Sequence, residues 1–194
     1  FEPPRLAPGG TLGGMVASGL AGPSRVAVGS VRDHVLGVAM LDGRGRLLRF
    51  GGEVMKNVAG YDVSRLLAGS WGRLGALAQV SLKVLPTAPA EATLSFAFDE
   101  ADALEALARW NSQPLPLNAS WWQQESEDAG EPRLNVRLRG AAAAVEAACQ
   151  ALGGARLDAA QAAVAWAGLR DQRLPWFAQR QPHEALWRVS VPPT

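Results

Sequence analysis

The sequence predicts an α+β protein in which antiparallel strands pack against helices. Short stretches of alternating polarity, such as LAQVSLKVL at residues 77–85, are typical of strands that bury one face. Longer stretches, such as DEADALEALARW at residues 99–110, space their apolar residues as an amphipathic helix does. In the second half of the chain these stretches alternate in the order of a split βαββαβ unit, an antiparallel sheet with helices on one face.

The amino-acid composition argues against some classes of function. The chain has 194 residues, 48% hydrophobic and 19% charged, so one medium domain or two small ones can bury a core. The net charge of +1 and the scattered basic residues argue against a nucleic-acid partner. No apolar run approaches the roughly 20 residues of a membrane-spanning helix, so no transmembrane segment is predicted.

The cysteine and the histidines predict no special chemistry. Cys149 is the one cysteine, so no intrachain disulfide can form, and its alanine-rich surroundings predict a buried position on a helix. The two histidines, His34 and His183, lack partners at the spacing of metal ligands, so no metal site is expected.

A change of composition predicts a domain boundary near residue 88. Residues 1–87 are glycine-rich and contain one of the seven tryptophans. The proline cluster PTAPAEA at residues 86–92 fits a linker, because proline cannot join a central strand or a helix interior. We therefore predict a first domain over residues 1–87 and a second over residues 88–194.

The first half is predicted to contain two short helices and three strands. Thr11 is a suitable N-cap for the first helix, and Asp62 is one for the second. Apolar and polar residues alternate along the third strand, which predicts a buried face with Ala78, Val80, Leu82 and Val84. The elements in order are a helix in residues 11–20, a buried strand in 34–41, a turn at Asp42–Gly45, a returning strand in 46–50, a helix from Val63 to Ala68 ended by Gly69, and the strand in 77–85.

The second half is predicted to alternate strands and helices. Asp99 can cap the first of its helices, with Leu104, Leu107 and Ala108 on the buried face. The predicted elements in order are strand 92–98, helix 99–110, strand 117–122, an acidic loop 123–132, strand 133–139, helices 141–152 and 159–171, and a closing strand 184–191.

Adjacent tryptophans on a predicted strand suggest an interface. Trp121 and Trp122 must point to opposite faces of the sheet, so only one of them can enter the helix-covered core. With Trp176 and Trp187 also present, the second indole indicates a contact with another domain or a homo-oligomer. The alternative is that the 123–132 loop covers it.

Two glycine clusters allow two interpretations. Gly69, Gly72 and Gly75 recur at three-residue spacing between a helix and a strand, and Gly13 and Gly14 begin a helix. Glycine there could serve only tight turns and close packing, or it could let the backbone approach a bound anion. On the second interpretation, residues 11–14 form a strand-to-helix turn whose amides face a cleft. The chain has neither a G-x-G-x-x-G nor a Walker motif, and neither cluster decides between the two interpretations.

The combination of motifs resembles a known flavoprotein family. The segments GTLGGMVASGLAGPSR (10–25), RDHVLGV (32–38) and GGEVMKNVAGYDVSRLLAGSWGRLGALAQVSLKVLP (51–86) resemble the second half of the FAD-binding domain of the vanillyl-alcohol oxidase/p-cresol methylhydroxylase (PCMH) superfamily. The residues of these segments are most similar to those of FAD-binding subunits of bacterial glycolate oxidases. The resemblance implies a PCMH-type second subdomain over residues 1–87, without the first subdomain, which is expected to precede Phe1. A ferredoxin-like cap domain would follow over residues 88–194.

The resemblance also implies FAD as the cofactor and assigns residues to it. In the family's arrangement the flavin lies between two subdomains, so we expect this segment alone to bind FAD weakly or not at all. A second motif, with Lys56, Asn57, Gly60, Tyr61 and Asp62, would be structural, and Tyr61 would pack or form a hydrogen bond. The implied flavin contacts are Thr11, Leu12, Gly13 and Gly14, then Ser18 and Gly22 around the pyrophosphate and ribose, and Gly75, Ala76 and Leu77 at the adenine half.

The implied function is a flavin-binding subunit of a glycolate oxidase complex, in which a 2-hydroxy acid is oxidised through FAD. The implied partners are a catalytic flavin subunit and an iron–sulfur subunit, and the implied location is cytoplasmic, held at the inner membrane through those partners. The chain departs from the family at Arg73, where a threonine is usual, and in lacking a histidine-rich substrate site near its C-terminal end. A non-catalytic assembly subunit and a generic α+β ligand-binding domain therefore stay open as alternatives.

Overall fold

The structure is a computed structural model, and it describes residues 1–54, 60–124, 130–179, 181, 183–187 and 189. The strands form two separate antiparallel sheets, and helices lie between the strands in sequence, which confirms the predicted α+β class. The helices are α1 (Leu12–Ser18), α2 (Arg25–Val28), α3 (Val31–His34), α4 (Val63–Leu66), α5 (Glu100–Asn111), α6 (Ala142–Leu152), α7 (Ala159–Arg170) and α8 (Pro175–Ala178). The strands are β1 (Val35–Leu41), β2 (Leu47–Gly51), β3 (Ala76–Leu82), β4 (Ala90–Phe96), β5 (Leu117–Gln123), β6 (Arg133–Gly140) and β7 (Ala155–Arg156).

The first sheet has the strand order β2-β1-β3, and both of its pairings are antiparallel. The predicted turn at residues 42–45 joins β1 to β2, and the Gly45 amide donates to the Asp42 carbonyl oxygen at 3.0 Å. Short helices cover one face of the sheet, where Val16, Val31 and Leu67 form a core with the inward residues of β1. This sheet holds the candidate site.

A bulge in β3 overturns part of the predicted burial of that strand: Val80 and Leu82 pack against the core as predicted, but Ala78 does not. Ala39 pairs with Gln79 and Met40 pairs with Leu77, so Ala78 is an extra residue in the ladder. The extra residue reverses the alternation, because successive side chains point to opposite faces. Leu77 therefore packs against the core, whereas Ala78 is exposed. The strand ends at Leu82, and Val84, predicted to be buried, is 84% exposed.

The second sheet has the strand order β5-β6-β4-β7, with antiparallel pairing throughout. With α5 after β4 and α6 after β6, this order confirms the predicted ferredoxin-like βαββαβ unit. The strand that closes it was predicted wrongly. The closing strand is Ala155–Arg156, which follows α6 directly and pairs with Leu94 and Ser95. Within the predicted segment 184–191, the described residues 184–187 and 189 form no strand.

The face that α5 buries also differs from the prediction. Asp99 caps the helix as expected, accepting the Asp102 amide at 2.8 Å. The buried residues are Ala103, Ala106 and Trp110. Of the predicted residues, Leu107 packs partly buried against the core, whereas Ala108 is exposed and Leu104 is 63% exposed. Two stripes of this helix satisfy helical spacing, and packing selects the stripe whose small alanines let the helix approach the sheet closely.

The second sheet is covered on both faces, not on one as predicted. The helices α5 and α6 cover one face, and α7 covers the other through Trp166. The Trp166 indole donates to Thr93 Oγ1 at 2.9 Å, and its ring lies 4.6 Å from the guanidinium carbon of Arg137. Thr93 and Arg137, two polar residues on this face of the sheet, therefore have a partner in α7.

Trp121 and Trp122 lie on opposite faces of the sheet, as predicted. Trp122 packs against the core beneath α5 and α6, and its indole donates to the Phe98 carbonyl oxygen at 3.0 Å. Trp121 meets Trp166 edge to face, with ring centroids 4.6 Å apart. The ring of Trp121 therefore packs against α7 of its own chain, and its indole donates to Gln123 Oε1 at 3.0 Å. Residues 125–129 of the loop that was predicted to cover it lie outside the described residues, and the predicted oligomer contact stays a prediction.

Three further expectations concern membrane-spanning helices, metal sites and the burial of Cys149. In the described part of the chain, no helix has the length and apolarity needed to cross a membrane. The same residues hold no group of three or more His, Cys, Asp or Glu side chains that could bind a metal ion. Cys149 is half-buried on α6, where burial raises the pKa of its thiol.

Candidate functional site

The helix α1 begins at Leu12, as the Thr11 cap predicts. Thr11 is extended, and its Oγ1 accepts the Gly14 amide at 3.0 Å. The preceding residues 1–11 form a loop without a strand, so the predicted strand-to-helix turn is a loop-to-helix turn. Leu12 is 63% exposed, and Gly14 also lies at the surface. This end of α1 therefore faces open solvent.

Gly13 brings the first implied contact segment against the last one. A Cβ built at Gly13 would lie 3.5 Å from the Leu77 carbonyl oxygen and 3.6 Å from the Leu77 Cβ. Residues 11–14 and residue 77 are distant in sequence, and the packing of α1 on β3 makes them neighbours. The space beside Gly13 admits one methyl group at ordinary contact distance, but nothing larger without movement.

Gly75 is explained by packing against β1. Its φ is +152°, and a Cβ there would overlap the Leu41 carbonyl oxygen and the Met40 methyl group. Ala76 pairs with Leu41, and Leu77 pairs with Met40. Among the described residues β3 pairs only with β1, so one side of its main chain points away from the sheet. That free edge can make main-chain contacts of the kind the resemblance assigns to residues 75–77.

Ser18 is the last residue of α1 and Gly22 lies beyond it, roughly 9 Å or more from Leu12 at 1.5 Å per helical residue. Ser18 donates to the Met15 carbonyl oxygen at 3.0 Å and lines a cavity of about 330 Å³. Gly22 lines a different cavity of about 380 Å³, and a Cβ there would overlap the Glu2 carbonyl oxygen. The structure therefore does not gather the nine implied contact residues at one place.

The three-residue glycine spacing serves a turn that docks on α1. Gly69 and Gly72 have φ values of +83° and +73°, which glycine adopts without strain. The Gly69 amide donates to the Val16 carbonyl oxygen at 3.0 Å, and the Trp71 amide donates to the Ala17 carbonyl oxygen at 2.8 Å. These bonds satisfy carbonyl groups at the C-terminal end of α1. The turn interpretation of Gly69, Gly72 and Gly75 thus has a structural basis without a cofactor.

The second family motif is partly outside the described residues, because Lys56 and Asn57 fall in the gap at 55–59. Asp62 caps α4 by accepting the Arg65 amide at 3.1 Å, although the helix ends at Leu66 and is shorter than predicted. Tyr61 is 98% exposed, so the predicted packing role of its side chain is wrong.

The cavity beside Ser18 carries positive charge that the sequence did not reveal. Arg25 and Arg32 line it together with Trp71, whose side chain is 68% exposed and whose φ is +54°. Asp33 lies close by, and hydrogen bonds from the Ser30 hydroxyl and amide, each 2.8 Å, hold its pKa below the ordinary range. Arg25 ends the first of the quoted family segments and Arg32 begins the second, which is the one signal that could have indicated them.

The comparisons with known proteins identify relatives of the chain. No protein-family profile matches it. The glycolate oxidase subunit GlcE of Escherichia coli K12 is 45% identical over 191 residues, 98% of the chain and 51% of that protein. The chain is a relative of GlcE. The resemblance to FAD-binding glycolate oxidase subunits is thereby confirmed, and the chain spans about half the length of GlcE.

Further relatives match shorter parts. The glycolate oxidase subunit GlcD of Bacillus subtilis 168 is 34% identical over 93 residues, 48% of the chain and 20% of that protein. The D-lactate dehydrogenase of Archaeoglobus fulgidus is 27% identical over 132 residues, 68% of the chain and 30% of that enzyme. A solved structure of alkyldihydroxyacetonephosphate synthase superposes with a TM-score of 0.64 at 16% identity, over 87% of the chain and 38% of that protein. This likeness confirms the PCMH-type fold.

Proposed function

We propose that the chain is part of a flavin-binding subunit of a 2-hydroxy-acid oxidase complex, with glycolate as the substrate of the complex. The observation that carries the proposal is the contact between Gly13 and Leu77, which places the start of α1 beside the free edge of β3. The 45% identity to GlcE over 98% of the chain supports the same assignment. The domain division near residue 88, between β3 and β4, is part of this proposal.

The residues at that contact suit FAD. Gly13 lets the start of α1 pack closely on Leu77, and the outer edge of β3 beside it offers backbone groups to a purine. Bound FAD would supply hydride acceptance, and the protein would hold and orient it. Because Leu12, Gly14 and Ala76 are exposed, a ligand here keeps water on one side, so tight binding requires another protein surface over it.

The proposed partners are a second, catalytic flavin subunit and an iron–sulfur subunit. We assign cofactor binding to this chain and leave the chemical step to the complex. His34, the histidine of the first half, is 1% exposed, and its Nε2 lies 3.0 Å from the Val28 carbonyl oxygen. Its ring also stacks on Phe1 at 4.4 Å. A histidine held in this way packs the core of the first sheet.

A flavin titration tests the proposal. We expect Gly13→Val to weaken FAD uptake at least tenfold, because a branched side chain exceeds the space beside Leu77, whereas Gly13→Ala should retain most of it. Gly43→Val is the matched control, since no atom lies within 4 Å of a Cβ at Gly43. Quenching of flavin fluorescence measures uptake, with partner subunits added, and thermal melting checks folding. Unchanged uptake by a folded Gly13→Val chain would contradict the proposed site.

A further inference from the structure

The segment Phe1–Arg5, here called the strap, contacts both halves of the molecule. Phe1 packs against the core of the first sheet and stacks on His34, with ring centroids 4.4 Å apart and an interplanar angle of 28°. The next residue, Glu2, reaches β6 of the second sheet. Two consecutive residues therefore anchor the strap to the two different sheets.

The carboxylate of Glu2 lies between two arginines of β6. Its Oε2 accepts from Arg137 Nη2 at 2.6 Å, and its Oε1 accepts from Arg139 Nη1 at 2.8 Å. The Arg137 side chain is 3% exposed, donates to Asn118 Oδ1 at 2.8 Å and lies over the Trp166 ring. The guanidinium of Arg137 is thus held by Asn118 and Trp166, and Glu2 neutralises its buried charge.

The main chain of the strap also contacts both halves of the molecule. The Glu2 carbonyl oxygen sits where a side chain at Gly22 would stand. The Arg5 amide donates to Asp171 Oδ1 at 2.8 Å, and Arg173 Nη2 donates to the Arg5 carbonyl oxygen at 3.3 Å. The strap is therefore held at Glu2 and again at Arg5, with the 20–23 segment beneath it.

We propose that Glu2 is a positioning residue that locks the second sheet against residues 20–23 and thereby sets the width of the cavity between them. That cavity, of about 380 Å³, is lined by Pro4 of the strap, by Gly22, and by Leu169 and Trp176 of the second half. Release of Glu2 removes the ionic link between the strap and the second sheet, so the cavity walls separate. The proposal concerns the chain without ligand and does not depend on flavin binding.

The charges around Glu2 make the lock sensitive to acid. Arg137 and Arg139 face it from β6, Arg139 is shared with Glu91 of β4, and Arg170 of α7 lies near enough to interact. Burial alone would raise the pKa of Glu2, but the hydrogen bonds and charges of Arg137 and Arg139 outweigh it and lower the pKa. A lowered pKa means that the lock is complete above the ordinary glutamate pKa and opens as pH falls through the lowered value.

Hydrogen exchange of peptides covering residues 18–24 tests the lock. We expect Glu2→Gln to accelerate exchange there roughly tenfold or more, because a buried charged hydrogen-bond partner is lost. Glu146→Gln is the matched control: it removes a carboxylate from an exposed pair with Arg156 in the second half, and the exchange rate of residues 18–24 should change by less than about twofold. Equal exchange in the Glu2→Gln and unsubstituted chains overturns the proposal, as does equal acceleration in the control.

Two further measurements separate positioning from general destabilisation. Corrected for intrinsic rates, exchange of residues 18–24 in the unsubstituted chain should rise as pH falls below 4.5, and the Glu2→Gln chain should rise less. If Glu2→Gln does not fold by circular dichroism, Arg139→Lys replaces it, since lysine keeps the charge but loses the planar fork. Arg139→Lys should give intermediate acceleration, and no acceleration overturns the proposal.

Discussion

Replacing Gly22 with alanine distinguishes the two explanations for this glycine. The family resemblance implies that Gly22 closes around a flavin, in which case the ligand-free chain should tolerate a methyl group there. In the structure the strap already fills the space. A Cβ at Gly22 would overlap the Glu2 carbonyl oxygen and lie 3.0 Å from the Glu2 carbonyl carbon. Gly22→Ala should therefore destabilise the protein without any ligand.

The size of the effect follows from the geometry. Carbon atoms in contact prefer about 3.5–4.0 Å, so the strap must move by roughly half an ångström or more, and the overlap with the oxygen demands a larger shift. The flanking contacts at Phe1 and Glu2 oppose that movement. Overpacking of this kind costs about 3 kcal/mol, which corresponds to a melting temperature about 6–12 °C lower for a chain of this length.

Chemical denaturation of four chains measures the effect: unsubstituted, Gly22→Ala, Glu2→Gln and the double variant. The loss in Gly22→Ala should be smaller in the Glu2→Gln background, since a released strap can move away from the new methyl group. Gly43→Ala serves as the control, because nothing lies within 4 Å of a Cβ at that position. A Gly22→Ala chain as stable as the Gly43→Ala chain would refute the packing explanation and favour the flavin contact.

Two other substitutions test the second half. Hydrogen bonds from Arg170 lower the pKa of Asp171 to about 2; burial opposes this shift, and the Arg5 amide and Arg173 add to it. The stabilisation from Asp171 is therefore present above pH 3.8 and is lost as the pH falls towards 2. Asp171→Asn should cost about 2 kcal/mol at pH 7 and little at pH 2 in urea denaturation, and a loss independent of pH would contradict the assignment. Trp166→Phe should cost about 1–3 kcal/mol, because Thr93 Oγ1 loses its donor and Arg137 loses part of its aromatic cover. Unfolding in urea measures it against Trp176→Phe, an exposed control expected within about 0.5 kcal/mol of the unsubstituted chain.

The candidate site was predictable only in its parts. The sequence indicated Thr11 as a cap and residue 77 as the start of a strand, because both signals are local. Nothing local indicated that Gly13 would meet Leu77, or that Arg25 and Arg32 would share a cavity with Ser18. Those proximities arise when α1 packs on β3 and when α2 and α3 fold beside it. The site assignments that came from the family resemblance stay predictions.

The sequence by itself determined the local elements. The caps at Thr11, Asp62 and Asp99 and the turn at residues 42–45 formed as predicted, because their hydrogen bonds join residues no more than four apart. The order of alternating strands and helices in the second half also predicted the topology up to its closing strand, since short antiparallel connections allow few arrangements.

Only the tertiary structure decided which faces are buried and how the halves are joined. The bulge at Ala78 depends on pairing with β1, and the closing of the sheet by Ala155–Arg156 depends on the free edge of β4. The bond from Arg137 to Glu2 spans 135 residues of sequence. Such contacts form only after the chain has folded, because their energy comes from burial and charge compensation between distant segments, and no short stretch of sequence contains both partners.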